Sequence, residues 1–244
     1  MTRKEIKTYN ECLDYIQFFE KKEDSIKKEY SKCFEHPIYV FEKYFKVVDV
    51  ALPEYVNICL TGDQKNVIDG LFENNINIID KDRQVGATTI LAMFTAYKLF
   101  FNQIDTPEEI VVFTWNQDSA KRFTKLVRNF LDDLFKIDSL FGFDKLYVSK
   151  QRNLLKLSNG SSLQCNGNYI IDSLQGYQPS IIIVDECPMI KQPHILDNFI
   201  SDVSFVLSTN GLLVTTVSKD GQLGTTLNEF KNIVNSTLYN KPKL

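Results

Sequence analysis

From residue 61 onward, the order of apolar and polar positions predicts strands alternating with helices. Thr61 precedes a helical pattern that runs to Asn74. Val67, Ile68, Leu71 and Phe72 share its apolar face, and the Thr61 hydroxyl suits the cap. Ile76–Asp80 is a short apolar run, after which DRQVGATT turns the chain into an apolar helix over Thr89–Asn102. Glu109–Trp115 reads as a second strand. Gln117–Ile137 reads as a long helix with Phe123, Val127, Phe130, Leu131 and Leu134 in phase. Leu146–Ser149, Asn153–Ser158 and Ser161–Cys165 have the pattern of antiparallel strands, with Asn159-Gly160 as a hairpin turn. Ser180–Val184 and Leu212–Val217 are near-continuous apolar runs of the kind that are buried on both faces. Further helices are expected near Ile195–Leu207 and over Gly224–Ser236. Such strands alternating with helices imply an α/β fold, a mostly parallel sheet flanked by helices.

Upstream the pattern changes. Residues 1–35 are rich in Lys and Glu, with Tyr9, Cys12, Tyr15, Ile16 and Phe19 at helical spacing, which predicts an amphipathic docking helix. His36–Leu60 is aromatic and β-branched and is broken by Pro37 and Pro53, which predicts short mixed elements. The expected organisation is a helical and aromatic extension over residues 1–50, then an α/β domain over 51–240 with the hairpin as a small insertion.

Composition narrows the function classes. The 244 residues make room for one large α/β domain with a small appendage. A net charge of −3 excludes a chain that is basic throughout, so DNA contact would need a local patch. Five cysteines with no CxxC pair, together with two histidines, speak against a disulfide framework, a zinc site or a multi-histidine centre. No apolar signal core opens the chain and no run is long enough to span a membrane, so a soluble intracellular protein is expected.

Three segments hold candidate chemistry. In IIDKDRQVGATT a strand ends, a tight loop follows and a helix begins. A helix N-terminus offers unpaired N–H groups and partial positive charge to phosphate. Gly86 lets the backbone approach, and Thr88 occupies the Mg²⁺-ligating hydroxyl position of a phosphate-binding loop. Gln84, Val85, Ala87 and Thr89 complete the cradle. Against G-x-x-x-x-G-K-[ST], Lys81 stands at the first glycine position and Ala87 at the lysine position, so Lys81 is the candidate to reach the β- and γ-phosphates from the loop entrance.

In IIIVDE an apolar strand ends in Asp185 and Glu186, at the sheet rim where α/β proteins place ligands. Asp185 is read as holding Mg²⁺ through water and Glu186 as orienting the attacking water. LLVTTVS ends in hydroxyls, and Thr215 and Thr216 are candidates to sense the γ-phosphate and pass its state onward. Gln64, ahead of the loop, could read the donor and acceptor on an adenine edge. On the long helix over Gln117–Ile137, Lys121, Lys125 and Arg128 fall on one face and could track DNA phosphates, followed by Lys145, Lys150, Arg152 and Lys156.

Together the Gln64 region, KDRQVGATT, TWNQDSAKRF, LSNGSSLQCNG, SLQGYQPSIIIVDE and LLVTTVS resemble the ATPase domain of the large terminase subunit of tailed viruses, from about Lys43 to Val234. The resemblance implies a P-loop NTPase fold of the RecA/ASCE type. It implies Mg²⁺-dependent ATP hydrolysis driving double-stranded DNA into a procapsid. It also implies a homo-oligomeric ring working with a portal protein and a small terminase subunit, in the cytoplasm of the infected host cell. Some members carry the lysine at the loop entrance, as Lys81 is here. By the same resemblance Arg83 acts in cis on the transferred phosphate. Where the family often has Arg-Gly before the acid strand, this chain has Gln175-Gly176. The family's C-terminal nuclease domain is expected to be absent, and no nuclease activity with it. Two other readings of the same residues are a helicase-like DNA-dependent ATPase and a nucleotide-binding assembly module without turnover. Ala87 keeps the latter open, while the paired carboxylates speak for turnover.

Overall fold

The computed structural model describes residues 24–48, 54–81, 86–101, 106–114, 116–141, 147–167, 178–185, 203, 205–209 and 211–218. Residues 24–35 are helical (α1), followed by α2 (Pro37–Tyr44), with Pro37 in its first turn where a missing N–H costs nothing. β1 (Lys46–Val48) and β2 (Tyr55–Asn57) form an antiparallel ribbon. The spacing at Tyr9–Phe19, most of Ile195–Leu207 and all of Gly224–Ser236 lie outside the described residues; helix is seen at 205–208.

The remainder follows the predicted alternation: α3 (Gly62–Glu73), β3 (Ile76–Lys81), α4 (Ala87–Phe100), β4 (Glu109–Thr114), α5 (Gln117–Phe141), β5 (Tyr147–Lys150), β6 (Leu154–Leu157), β7 (Ser162–Gly167), β8 (Ile181–Val184) and β9 (Leu212–Ser218). One seven-stranded sheet takes the order β3-β9-β8-β4-β7-β6-β5. The first five of these are mutually parallel, and β6 and β5 close the far edge antiparallel. The Asn159-Gly160 hairpin forms and the main sheet absorbs it, because β7 pairs in parallel with β4 from Glu109↔Ser162 to Thr114↔Gly167. Asn159 fastens the turn to the adjoining layer by donating from Nδ2 to Leu99 O at 2.9 Å.

The two sheet faces bury different residues. Ile110, Val112, Ile181, Ile183, Leu212 and Val214 face α3, α4 and α5 in the larger core. Val111, Phe113, Ile182, Val184 and Leu213 face the other way, against Val203 and Val206. A helix apolar on every side must be enclosed, and α4 is, from Ile90 through Tyr97. Cys33, Val40, Phe41 and Phe45 of the upstream region join the larger core, so residues 24–45 pack as part of the same body. Among the described residues no helix is long and apolar enough to cross a membrane.

One polar cluster joins α1 to α2. Glu29 Oε1 accepts from Tyr39 Oη at 2.8 Å and Lys43 Nζ at 2.7 Å, and from the Tyr44 hydroxyl. Tyr97 of α4 donates to the carbonyls of Cys33 and Phe34 at 3.1 and 2.6 Å, satisfying groups that a helix end leaves open. Burial pushes the Glu29 carboxyl up, but hydrogen bonds from Lys43, Tyr44 and Tyr39 outweigh it and hold it down at about 2. A carboxyl with a depressed folded value stabilises fully above the ordinary carboxylate range and loses that contribution as pH falls toward its folded value. Glu29→Gln is therefore expected to lower the melting temperature by about 2–6 °C at neutral pH. In circular-dichroism melts that deficit should shrink between about pH 5 and pH 2; a constant deficit would count against the cluster.

Candidate active site

Parallel strands deliver the site to one edge of the sheet. β3 ends at Lys81, whose Cα partner is Ser218 of β9, and Val184 at the end of β8 is level with Thr215. β9 lies between β3 and β8. With neighbouring strands about 4.8 Å apart, the outer two are separated by roughly 10 Å. A side chain on β9 and another from α4, which leans over this edge, can bridge that gap.

Asp185 is where they meet. It directly follows β8, and its N–H donates to Phe113 O at 2.9 Å, keeping it in line with β4. Asp185 is 8% exposed. Thr88 donates its hydroxyl to Oδ2 at 2.8 Å, and Thr216 donates its own to Oδ1 at 2.7 Å. A buried carboxylate left unpartnered is costly; here each oxygen accepts from a different element.

The start of α4 is shaped for an anion. Gly86 is its N-cap at φ 79, a left-handed conformation that costs a Cβ-bearing residue roughly 1–2 kcal/mol. No side chain among the described residues caps this helix, and its first turn contains no acid. The first N–H groups of α4 are thus left for a phosphate oxygen. Ala87 is 5% exposed, so the position that usually holds the loop lysine is walled in.

The residues also fit a hard cation. Among the described residues no group of three or more His, Cys, Asp or Glu gathers as a cage. A hydroxyl and a single carboxylate are the donor set with which Mg²⁺ is held when phosphates and waters complete its shell. Thr88 gives its proton to Asp185 and keeps lone pairs for a metal.

Of the residues read from sequence, Gly86, Ala87, Thr88, Asp185 and Thr216 come together, with Thr89 in the first turn of α4. Gln64 is adjacent: its Nε2 is 3.3 Å from where a Cβ on Gly86 would stand. The backbone of Lys81 reaches the same edge. Arg83, Gln84, Val85 and Glu186 lie outside the described residues. Thr215 does not join the site. It alternates with Thr216, faces the second core, and its buried hydroxyl has no hydrogen-bond partner among the described residues.

Residues expected to form a basic stripe on α5 also make contacts within the chain. Lys121 pairs with Asp118 at 2.9 Å, and Arg128 donates from Nη2 to Gln151 O at 2.7 Å, fastening the turn after β5. Lys121 and Lys125 are exposed and Arg128 is half-buried.

Two supporting residues were missed. Asn116 Oδ1 accepts from Ser119 N at 2.8 Å and caps α5, a role its place before Gln117-Asp118-Ser119 could have revealed. Gly167 ends β7 against that helix start, where a Cβ would come within 2.2 Å of Gln117 N; no local sequence signal marks so close an approach.

The two threonines of β9 should respond oppositely. Thr216→Val removes a partner of Asp185 and is expected to cost about 1–3 kcal/mol in urea unfolding. Thr215→Val replaces a buried hydroxyl that has no partner among the described residues with a methyl of equal shape and should be neutral or stabilising. Equal losses would sink the assignment of faces.

Residues 78–205 match the family described as terminase large subunit, T4likevirus-type, N-terminal. The fold is similar to the large terminase of the HK97 bacteriophage, with a TM-score of 0.61 at 17% identity, covering 83% of this chain and 41% of that one. It is also similar to an arginine-to-alanine variant of the large terminase ATPase domain of Thermus phage P74-26, at TM-score 0.50 and 15% identity over 64% of this chain and 65% of that one. This chain thus spans less than half the length of the HK97 protein. With its family match over more than half its length and its mostly parallel α/β sheet, the chain belongs to the terminase large-subunit family and corresponds to that family's N-terminal region.

Proposed function

We propose that this chain is the ATP-hydrolysing motor domain of a viral DNA-packaging terminase, coupling hydrolysis to movement of double-stranded DNA into a procapsid. The observation behind this reading is the Asp185 carboxylate, shared between Thr88 at the phosphate-loop helix and Thr216 on the strand between the loop and the acid. An NTPase motor needs its nucleotide cradle and its acid strand joined to something that can move, and this carboxylate joins all three elements.

Each residue then has a role. The N–H groups of the first turn of α4, with Gln84, Val85, Gly86, Ala87 and Thr89, hold the phosphates of ATP. Thr88 and Asp185 are the residues that would hold Mg²⁺, which when bound neutralises charge on the β- and γ-phosphates. Glu186 orients and deprotonates the attacking water. Lys81 and Arg83 bring positive charge to the transferred phosphate. The enclosure of Ala87 supports an entrance lysine, because a lysine at 87 would start from a buried position. Thr216 reports the state of Asp185 to β9. In the assembled motor the partners are double-stranded DNA, further copies of this chain in a ring, a portal protein and a small terminase subunit, in the cytoplasm of the infected cell.

Glu186→Gln should leave ATP affinity within about threefold while lowering turnover by about 10²- to 10⁴-fold. Retained turnover would remove Glu186 from its role. Lys81→Ala should weaken ATP binding by about tenfold or more, as loss of a charged phosphate partner does. Lys65→Ala is the control, since Lys65 pairs with Glu42 at 2.8 Å on the surface of α3. Equal effects of the two substitutions, measured by titration with fluorescent ATP, would overturn the entrance-lysine assignment.

A further inference from the structure

We infer that Thr114 is a positioning residue for the acid: its hydroxyl fixes the carboxyl end of β4 and, through that end, the backbone of Asp185. The inference rests on the nucleotide-binding reading above, in which Asp185 would hold Mg²⁺, and adds a role for the strand on its other side.

Thr88 of α4 and Thr216 of β9 set the side chain of Asp185. Its backbone is set from β4. That strand runs parallel to β8 with Phe113 level with Val184, and the last bond between the two among the described residues is Asp185 N to Phe113 O at 2.9 Å. The direction in which residue 185 leaves the sheet thus depends on where the Phe113 carbonyl stands. Only Thr114 follows Phe113 in β4, and α5 begins at Gln117. A strand end of this kind frays unless the residue that closes it is held.

Thr114 is held through its side chain. It is 4% exposed and lies opposite Gly167 of β7. Its hydroxyl stands 3.1 Å from Asn116 O and 3.4 Å from Asn166 O, so its one proton is shared between the turn that starts α5 and the neighbouring strand. The turn is itself firm: Asn116 Oδ1 accepts from Ser119 N at 2.8 Å, and Asn116 O accepts from Ala120 N at 3.0 Å. The hydroxyl therefore joins the end of β4, the start of α5 and the end of β7, beside the strand that carries the acid. Other buried threonines do less. Thr95 and Thr124 donate to Leu91 O and Ala120 O, one turn back in their own helices. A β-branched body suits any strand, so only the hydroxyl separates positioning from ordinary strand preference.

Two pairs of side chains isolate that hydroxyl. Thr114→Val replaces it with a methyl of like shape, while Thr114→Ser and Thr114→Ala differ from each other by the hydroxyl alone. In steady-state ATP hydrolysis by the purified chain with Mg²⁺, Thr114→Val and Thr114→Ala should lower kcat about 10- to 100-fold and leave KM within about threefold, as a small misplacement of a site group does. Thr114→Ser should keep kcat within about threefold. Thr95→Val is the control for loss of a buried hydroxyl elsewhere, and it too should keep kcat. In hydrogen–deuterium exchange on the nucleotide-free chain, the Asp185 amide should exchange faster in Thr114→Val and Thr114→Ala and at its native rate in Thr114→Ser. Equal losses of kcat in Thr114→Ser and Thr114→Ala, or unchanged Asp185 exchange when the hydroxyl is gone, would overturn the inference. The serine and alanine comparison decides it alone if Thr114→Val does not fold. If the unsubstituted chain hydrolysed no ATP, the motor reading would fall, while exchange at Asp185 would still decide the role of Thr114.

Discussion

A carboxylate buried at a strand end must be partnered on both oxygens, and that requirement organises the edge of the sheet where Asp185 stands. It accepts from Thr88, so the first turn of α4 must pass directly over the end of β8. The chain reaches that position from β3 through the left-handed residue Gly86. It also accepts from Thr216, so β9 must lie beside β8 in a register that turns residue 216, and not 215, toward α4. The strand order, the placement of the glycine and the alternation of the threonines are three consequences of one electrostatic constraint.

Much of this was legible in sequence, and the parts that were not share a physical cause. The strands and helices around the phosphate loop could be read because their apolar runs and turn residues are local signals. The choice between Thr215 and Thr216 could not. β9 is buried on both faces, so its sequence shows no alternation from which to tell them apart. The Asn159-Gly160 turn announced a hairpin, yet pairing of β7 with β4 is long-range and leaves no local mark. On α5 the spacing of Lys121, Lys125 and Arg128 showed which residues share a face. It could not show that Gln151, brought back by the next strand, would take the Arg128 guanidinium.

The irregular phosphate loop makes physical sense in the same terms. Position 87, which holds lysine in the standard loop, is enclosed here and filled by alanine. Position 81 ends β3, whose only ladder partner among the described strands is β9. A buried ammonium at 87 would suffer desolvation. An alanine at 87 keeps a charged side chain out of this enclosed position at the start of α4.

β9 also has the properties needed to transmit a change at the site. Its carboxyl end is tied to Asp185 through Thr216. At its amino end Leu212 N donates to Ser180 O at 2.9 Å, and Gly211 N donates to Val206 O, also at 2.9 Å, beside the helical turn at 205–208. Between these ends it is paired on both sides, with β3 and with β8, and its side chains are packed into both cores. A strand held in this way cannot absorb a displacement by bending locally, because close-packed interiors yield as units. On the proposed reading, a change in what Asp185 holds would therefore be felt at the opposite edge of the sheet, and the phosphate-loop helix, tied to Asp185 through Thr88, would share in it from the start.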